Sequence, residues 1–356
     1  MSVGTFAEGQ LMKALIYTGP GETEVQEVPD PVLQEPTDAI VDVIATSICG
    51  SDLHVVSGEL VPDTGFILGH EMVGRIRELG SAVRNFSVGD RVTVSPAPYC
   101  GACARCRDGH YAHCEFGGVY GSGETYGGFA GSHAERMRIA FAARDLIRVP
   151  DHVSNESALA ISDALTTGAG GVTKAVTQQG RTIAVFGCGP VGLAALHYAT
   201  IWKPAKLIAI DPVPERLELA RQLGATDVIS ATDPRAELQR ITDGAGLDAA
   251  IECAGVEATF QAALDSLAPE GFLSILGIPH APVSFDIAAA LRYGLNLWTG
   301  LADVGPAQTV MNYIADGLLN PDPIFNHEVS LDEAPALVKT LMTSRDHGIV
   351  KAVVKP

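Results

Sequence analysis

The sequence predicts a two-domain α/β chain, an all-β, barrel-like unit joined to a doubly wound parallel sheet. Three observations carry this. The 356 residues exceed the size at which one hydrophobic core usually stops growing, so two cores are expected. From Lys13 to about Val149, short β-branched runs such as Ala39–Ile44 and Asp90–Val94 alternate with Gly and Pro turns, the texture of short strands closed by tight connections. From about Ser157 the texture changes to apolar strand then helical periodicity, repeated, which implies parallel strands with crossover helices.

In the second half, Thr182–Phe186, Lys206–Ile210, Ala249–Glu252 and Gly271–Leu276 are the expected strands, and Val191–Thr200 and Pro214–Leu223 the clearest helices between them. The stretch from about Pro306 is mixed, and Ile349–Val354 reads as a strand returning to the first unit. The expected division is therefore 1–162 and 306–356 for the first domain, with a cysteine-rich lobe at about 96–116, and 163–305 for the second.

Composition narrows the partners. No apolar run approaches the roughly 20 residues a bilayer needs, so no membrane partner is expected. A formal net charge of -18 repels phosphates and argues against nucleic acid. Met1–Gln10 is short and polar, unlike the apolar core of a secretory signal, so a reducing cytoplasm is expected.

Against that background, Cys100, Cys103, Cys106 and Cys114, spaced Cys-x2-Cys-x2-Cys-x7-Cys, read as a loop folded around one tetrahedral zinc with no ligand position left for water. Such a site holds structure. A pair of disulfides and a nucleic-acid-binding zinc ribbon are the alternatives; the expected compartment weighs against the first and the acidic charge against the second. His110 and His113 in the same loop read as solvated, because four thiolates fill the tetrahedron.

Gly187-Cys188-Gly189-Pro190-Val191-Gly192 follows an apolar strand and opens a helix, the context in which a glycine-rich turn cradles a pyrophosphate at a helix N-terminus. Asp211 ends the next strand 19 residues beyond Gly192, close to the spacing of about 20 for the acid that binds an adenosine ribose. A carboxylate there repels a 2′-phosphate, so NAD is expected over NADP. Asp211 as a helix cap is the bland alternative. Arg216 is placed to lie against the adenosine ribose, its alternative role being to admit NADP.

Gly69-His70-Glu71-x2-Gly74-x5-Gly80-x2-Val83, taken with the four-cysteine loop, the nucleotide fingerprint and their order, resembles the zinc-containing alcohol dehydrogenases of the medium-chain dehydrogenase/reductase superfamily. The resemblance runs from Lys13 to Pro356. It implies a GroES-like β-barrel catalytic domain and a Rossmann domain with substrate in the cleft between them, NAD, and two zinc ions per chain, one catalytic and one structural. It implies a catalytic zinc on Cys49, His70 and a third ligand just before the Rossmann domain. Here that stretch is Ser162-Asp163-Ala-Leu-Thr-Thr-Gly168, similar to the aspartate version of some bacterial secondary-alcohol dehydrogenases, which makes Asp163 the expected ligand.

By the same resemblance Ser51 contacts the substrate oxygen and passes its proton through the nicotinamide ribose to His54 near solvent. Bland readings remain for both, Ser51 as a turn cap and His54 as a surface histidine. Glu71 stands behind the metal, Asp52 orients His70, Thr167 and Val191 pack on the nicotinamide ring, and Lys351 reaches the pyrophosphate. Cys188 and Cys253, left over from the ligand sets, read as small core residues. Pro96, Phe116, Tyr120 and Trp298 are candidates to line an apolar pocket, each with an equal claim to be ordinary core. The implied activity is hydride transfer between NAD(H) and a small to medium, secondary alcohol or its ketone. Polyol or threonine oxidation, aldehyde dismutation or formaldehyde oxidation, and a non-catalytic NAD-binding scaffold are the alternatives. A homotetramer is implied, with a dimer as the other assembly.

Overall fold

The computed structural model describes residues 6–301, 305, 307–344 and 347–356. The chain divides into two units, Met1–Asp163 with Ala307–Ala315 and Phe325–Pro356, and Ala164–Pro306 with Asp316–Ile324. Pro306, where the sequence places the return to the first domain, lies outside the described residues. Two details differ from the expected division. Asp163 stays with the first unit because it is the C-cap of the helix Asn155–Ser162. The stretch Asp316–Ile324 stays with the second, where the Asn320 amide donates to Nε2 of His197 at 2.8 Å.

In the first unit the alternating β-branched runs become strands β1 (Phe6–Gly19), β2 (Glu22–Pro31), β3 (Ala39–Ser47), β4 (Phe66–Ile67), β5 (Met72–Leu79), β6 (Arg91–Val94), β7 (Arg136–Ile139) and β8 (Leu146–Arg148). In the second unit come β9 (Thr182–Phe186), β10 (Lys206–Ile210), β11 (Asp227–Ile229), β12 (Leu247–Glu252), β13 (Leu267–Ile275) and β14 (Asn296–Thr299), and the chain returns to the first through β15 (Phe325–Ser330) and β16 (Lys351–Lys355).

The first unit holds a small sheet, β2-β1-β4, and a larger one, β15-β16-β3-β5-β6-β8, with β7 also on β3. Its core gathers inward-facing residues such as Val41, Met72, Val92 and Met137 around the buried Tyr120. Register places the site: β3 and β5 are antiparallel and Thr46 pairs with Met72. The chain leaving β3 toward Cys49 and the chain entering β5 from His70 therefore meet at one end of the sheet.

In the second unit all strand pairs are parallel, in the order β11-β10-β9-β12-β13-β14. Counted within the unit this is 3-2-1-4-5-6, the doubly wound order whose reversal between β9 and β12 opens a crevice at the strands' carboxyl ends. Ala184, Phe186, Ile208, Ala250 and Leu273 fill its core. Both strand faces are covered, which is why these strands read as continuous apolar runs. Among the described residues no helix is long and apolar enough to cross a membrane.

Candidate active site

Cys49 is the N-cap of the helix Gly50–Val56, and its amide donates to Oδ2 of Asp52 at 2.8 Å in a capping box. The cap turns the thiol toward the start of β5. Cys49 Sγ lies 3.1 Å from Oδ2 of Asp163, and Nε2 of His70 lies 3.5 Å from the same oxygen. One ligand atom each from Cys49, His70, Glu71 and Asp163 falls within 4.8 Å of the others. His70 is 3 % exposed and Glu71 is fully buried.

Burial and the neighbouring Asp163 push the Cys49 thiol up from its usual value, and burial does the same to the Glu71 carboxyl. That is the penalty for drawing anionic donors together in low dielectric. Thiolate, imidazole and carboxylate are zinc donors, and three of them leave a tetrahedral position open. The residues present therefore fit a catalytic zinc.

Asp52 lies on the far side of His70, with Oδ1 3.2 Å from Nδ1 of the ring. Burial alone would raise its carboxyl, but the imidazoles of His70 and His133 outweigh that and hold it well below the usual range. Ser51 Oγ is 3.4 Å from Nε2 of His70, on the ligand side of the ring. His54, on the same helix, has Nδ1 3.0 Å from Oε2 of Glu59.

Lys351 differs from expectation. Rather than standing free for a pyrophosphate, its ammonium is buried and donates to Oε1 of Glu71 at 2.8 Å and to the Ile48 carbonyl at 3.3 Å. The cause is register: β16 pairs with β3 through Val353 and Ser47, which sets Lys351 behind the Ile48–Cys49 turn. Burial works against the charged lysine, yet Glu71 outweighs it and its pKa rises. Glu71, bonded also by Ser47 Oγ, thus has its carboxylate occupied behind the Cys49, His70 and Asp163 donors.

The four-cysteine lobe is equally convergent, with the sulfurs of Cys100, Cys103, Cys106 and Cys114 within 4.8 Å of one another, and all are free thiols. The loop is built by amide-to-sulfur bonds: Cys103 N to Cys100 Sγ at 3.3 Å, Cys106 N to Cys103 Sγ at 3.5 Å, and Cys100 N to Cys114 Sγ at 3.3 Å. The amides of Cys106 and Glu115 draw the Cys103 thiol down to about 6, whereas burial lifts Cys106 to about 12. Four sulfurs converging in this way suit a closed tetrahedral zinc. His110 and His113 are exposed.

In the second unit the fingerprint glycines show distinct roles. Gly187 has φ +90, with Ala254 at the place of a Cβ. A Cβ on Gly192 would lie 1.8 Å from the Gly187 carbonyl, so its absence lets the helix Pro190–Ala199 close on β9. At Gly189 a Cβ would meet nothing within 4 Å, so the approach to the helix N-terminus is open, as an anion there would require. The cradle fits a dinucleotide. Asp211, buried at the end of β10, accepts the amides of Cys188 and Val213 at 2.8 Å each, and Nη1 of Arg216 stands 3.9 Å away. Thr167 and Val191 are half-buried, and Cys188 is buried. Cys253 is half-buried rather than core, its amide bonded to the Phe186 carbonyl at 2.8 Å across the crevice.

Of the pocket candidates, Tyr120 is core, wholly buried with its hydroxyl donating to Asp145 at 2.8 Å, and Phe116 is 64 % exposed. Sequence reasoning also missed Thr46, Ser47, Ser132 and His133, which surround the His70 centre. No spacing links residue 133 to residues 46–71; only the fold does.

These features define an oxidoreductase with a metal centre on one unit and a nucleotide cradle on the other. Residues 35–151 match the alcohol dehydrogenase GroES-like domain and residues 190–301 the zinc-binding dehydrogenase family. An alcohol dehydrogenase of Cupriavidus necator is 33% identical, over 97% of this chain and 99% of its own. The sorbitol dehydrogenase of Bacillus subtilis is 31% identical over 98% of both chains. Among solved structures, alcohol dehydrogenase TADH from Thermus sp. ATN1 superposes with a TM-score of 0.91 at 36% identity, covering 97% of this chain and 99% of that one. The chain belongs to the zinc-type alcohol dehydrogenases of the medium-chain dehydrogenase/reductase family.

Proposed function

We propose that this enzyme is an NAD-dependent dehydrogenase interconverting small to medium secondary alcohols and ketones, with a catalytic zinc on Cys49, His70 and Asp163 and a structural zinc on Cys100, Cys103, Cys106 and Cys114. The observation that carries this reading is the convergence of a thiol, an imidazole and a carboxylate beside the Ser51 hydroxyl. When bound, the two groups supply what the side chains lack, a Lewis acid for the alcohol oxygen and a hydride acceptor for its carbon.

The chain's own residues do the rest. Asp52, 3.2 Å from Nδ1 of His70, favours the proton on that nitrogen and so leaves Nε2 as the ligand nitrogen. Ser51 Oγ accepts the proton leaving the alcohol as it releases its own hydroxyl proton toward His54, which passes one to solvent, with Glu59 steadying the ring. Glu71, neutralised by Lys351, backs the ligands without adding a net charge. Gly187, Gly189, Pro190 and Gly192 offer backbone to the pyrophosphate, and Thr167 and Val191 pack against the nicotinamide. Asp211 binds the adenosine ribose with Arg216 beside it, and its charge favours NAD over NADP.

The seven free thiols suit a reducing cytoplasm. Exposed Ile287, Leu291 and Tyr293, next to the edge strand β14, suit a homotetramer or dimer. A polyol substrate is the second reading, favoured by the sorbitol dehydrogenase relative.

NADH oxidation with a panel of ketones, run beside NADPH and beside alcohols and polyols with NAD, tests the proposal on protein of known zinc content. Cys49→Ala is expected to abolish turnover and remove about one zinc per chain. Full activity in that variant overturns the catalytic-zinc reading. Turnover of polyols alone replaces the ketone reading with the second one.

A further inference from the structure

Cys49 and His70 come from different segments, and a histidine outside every motif ties those segments together. The ring of His133 lies flat against Gly69, where a Cβ would stand 2.7 Å from three of its atoms. Gly69 also has φ +94, a conformation that favours glycine. One ring nitrogen, Nδ1, is 2.9 Å from Thr46 Oγ1 at the end of β3. The other, Nε2, is 3.5 Å from Oδ2 of Asp52. Its backbone is fixed as well: His133 N donates to the Leu68 carbonyl at 2.9 Å, and the Leu15 amide to the His133 carbonyl at 2.8 Å. Ser132 Oγ donates to the Glu71 carbonyl at 2.8 Å, as does Thr46 Oγ1 at 2.5 Å.

Asp52 thereby lies between two imidazoles, within ion-pair distance of each. His70 faces Oδ1, and His133 faces Oδ2, the oxygen that also accepts the Cys49 amide. All three side chains are almost completely buried, so water cannot substitute for a lost His133, and the carboxylate, left on the Cys49 amide at Oδ2, would have more room to turn away from His70.

We propose that His133 is a positioning residue of the Cys49–His70–Asp163 centre. Wedged on Gly69 and tied to Thr46, it holds Asp52 in the orientation that fixes His70 with Nε2 toward Cys49 and Asp163. This rests on reading that centre as a zinc site.

The test is the rate of zinc release from the intact enzyme to the chromophoric chelator 4-(2-pyridylazo)resorcinol, with the thermal melting point measured alongside. Wild type is expected to release two zincs per chain, and the phase missing in Cys49→Ala identifies the zinc of this centre. His133→Phe keeps a ring on Gly69 but removes both nitrogens. It is expected to speed that phase about 10-fold, the lower end of the range for partners one step removed from a ligand, and to leave the other phase unchanged. His133→Gln, which retains a polar terminus, is expected to fall between. If His133→Phe does not fold, Thr46→Val removes the anchor of Nδ1 and carries the same expectation.

Loss of both zincs together with a lowered melting point would mean a merely structural role and overturn the proposal. Wild-type release from His133→Phe and Thr46→Val, while Cys49→Ala lacks one zinc, overturns it and leaves the zinc reading standing. Retention of both zincs by Cys49→Ala overturns the zinc reading itself.

Discussion

Two buried aspartates sit in different surroundings. Asp211 is held by two backbone amides at the end of β10. Asp211→Gly is expected to weaken NAD more than NADP, shifting the ratio of their kcat/KM values about 10-fold or more, the worth of one charge-assisted hydrogen bond. An unchanged ratio would mean that another residue reads the ribose. Asp145 is different: burial drives its carboxyl well above the usual range, beyond what bonds from Tyr120 and Ser95 recover. Its folded state holds a proton that the unfolded state releases above about pH 4. The stabilisation is present below that pH and is lost as pH rises toward the folded pKa, at about 1.4 kcal/mol per unit. Asp145→Asn keeps an acceptor for the Tyr120 hydroxyl and has no proton to lose. Its melting temperature relative to wild type is expected to be higher at pH 8 than at pH 5, and an identical difference at both would show that Asp145 is ionised in the fold.

At the scale of elements, the nucleotide cradle depends on how closely one helix approaches one strand. Gly192→Ala places a methyl where the Gly187 carbonyl stands, and backbone cannot step aside as a flexible side chain does. The variant is expected to lose about 1–3 kcal/mol of stability, as in overpacked cores, and to raise the KM for NAD at least 10-fold, read by denaturant unfolding and steady-state kinetics. A wild-type KM would mean that the cradle adapts. The strands of this unit were the most legible elements. Thr182–Phe186 and Lys206–Ile210 form with the expected limits, because four consecutive apolar residues behind one polar residue, set between turn signals, admit little else. β13 begins four residues earlier than expected, at Leu267. Its first residues, Leu267 to Glu270, are partly exposed and interrupted by Pro269, so they carry no apolar run to read.

For the whole molecule, the assembly is the property most open to test. Ile287 and Leu291, one helical turn apart, are 70 % and 84 % exposed, and among the described residues β14 forms one edge of the six-stranded sheet. Leu291→Arg is expected to reduce the mass measured by light scattering, with zinc content unchanged. An unaltered mass would place the interface on another surface.

What the sequence determined by itself is what local spacing encodes: the four-cysteine loop, the glycine fingerprint with its acid 19 residues on, and the change of texture from short strands to strand and helix. Each is complete within a few turns of chain, so residue order alone specifies its chemistry. Tertiary structure decided the rest. Lys351 meets Glu71 only because β16 returns to β3, and His133 meets Asp52 only because the segments around residues 46, 69 and 133 are hydrogen-bonded side by side. Asp316–Ile324 joins the second unit, where the Asn320 amide meets His197. Such contacts are fixed by strand register and burial, which depend on the cooperative packing of distant segments and leave no periodic mark along the chain.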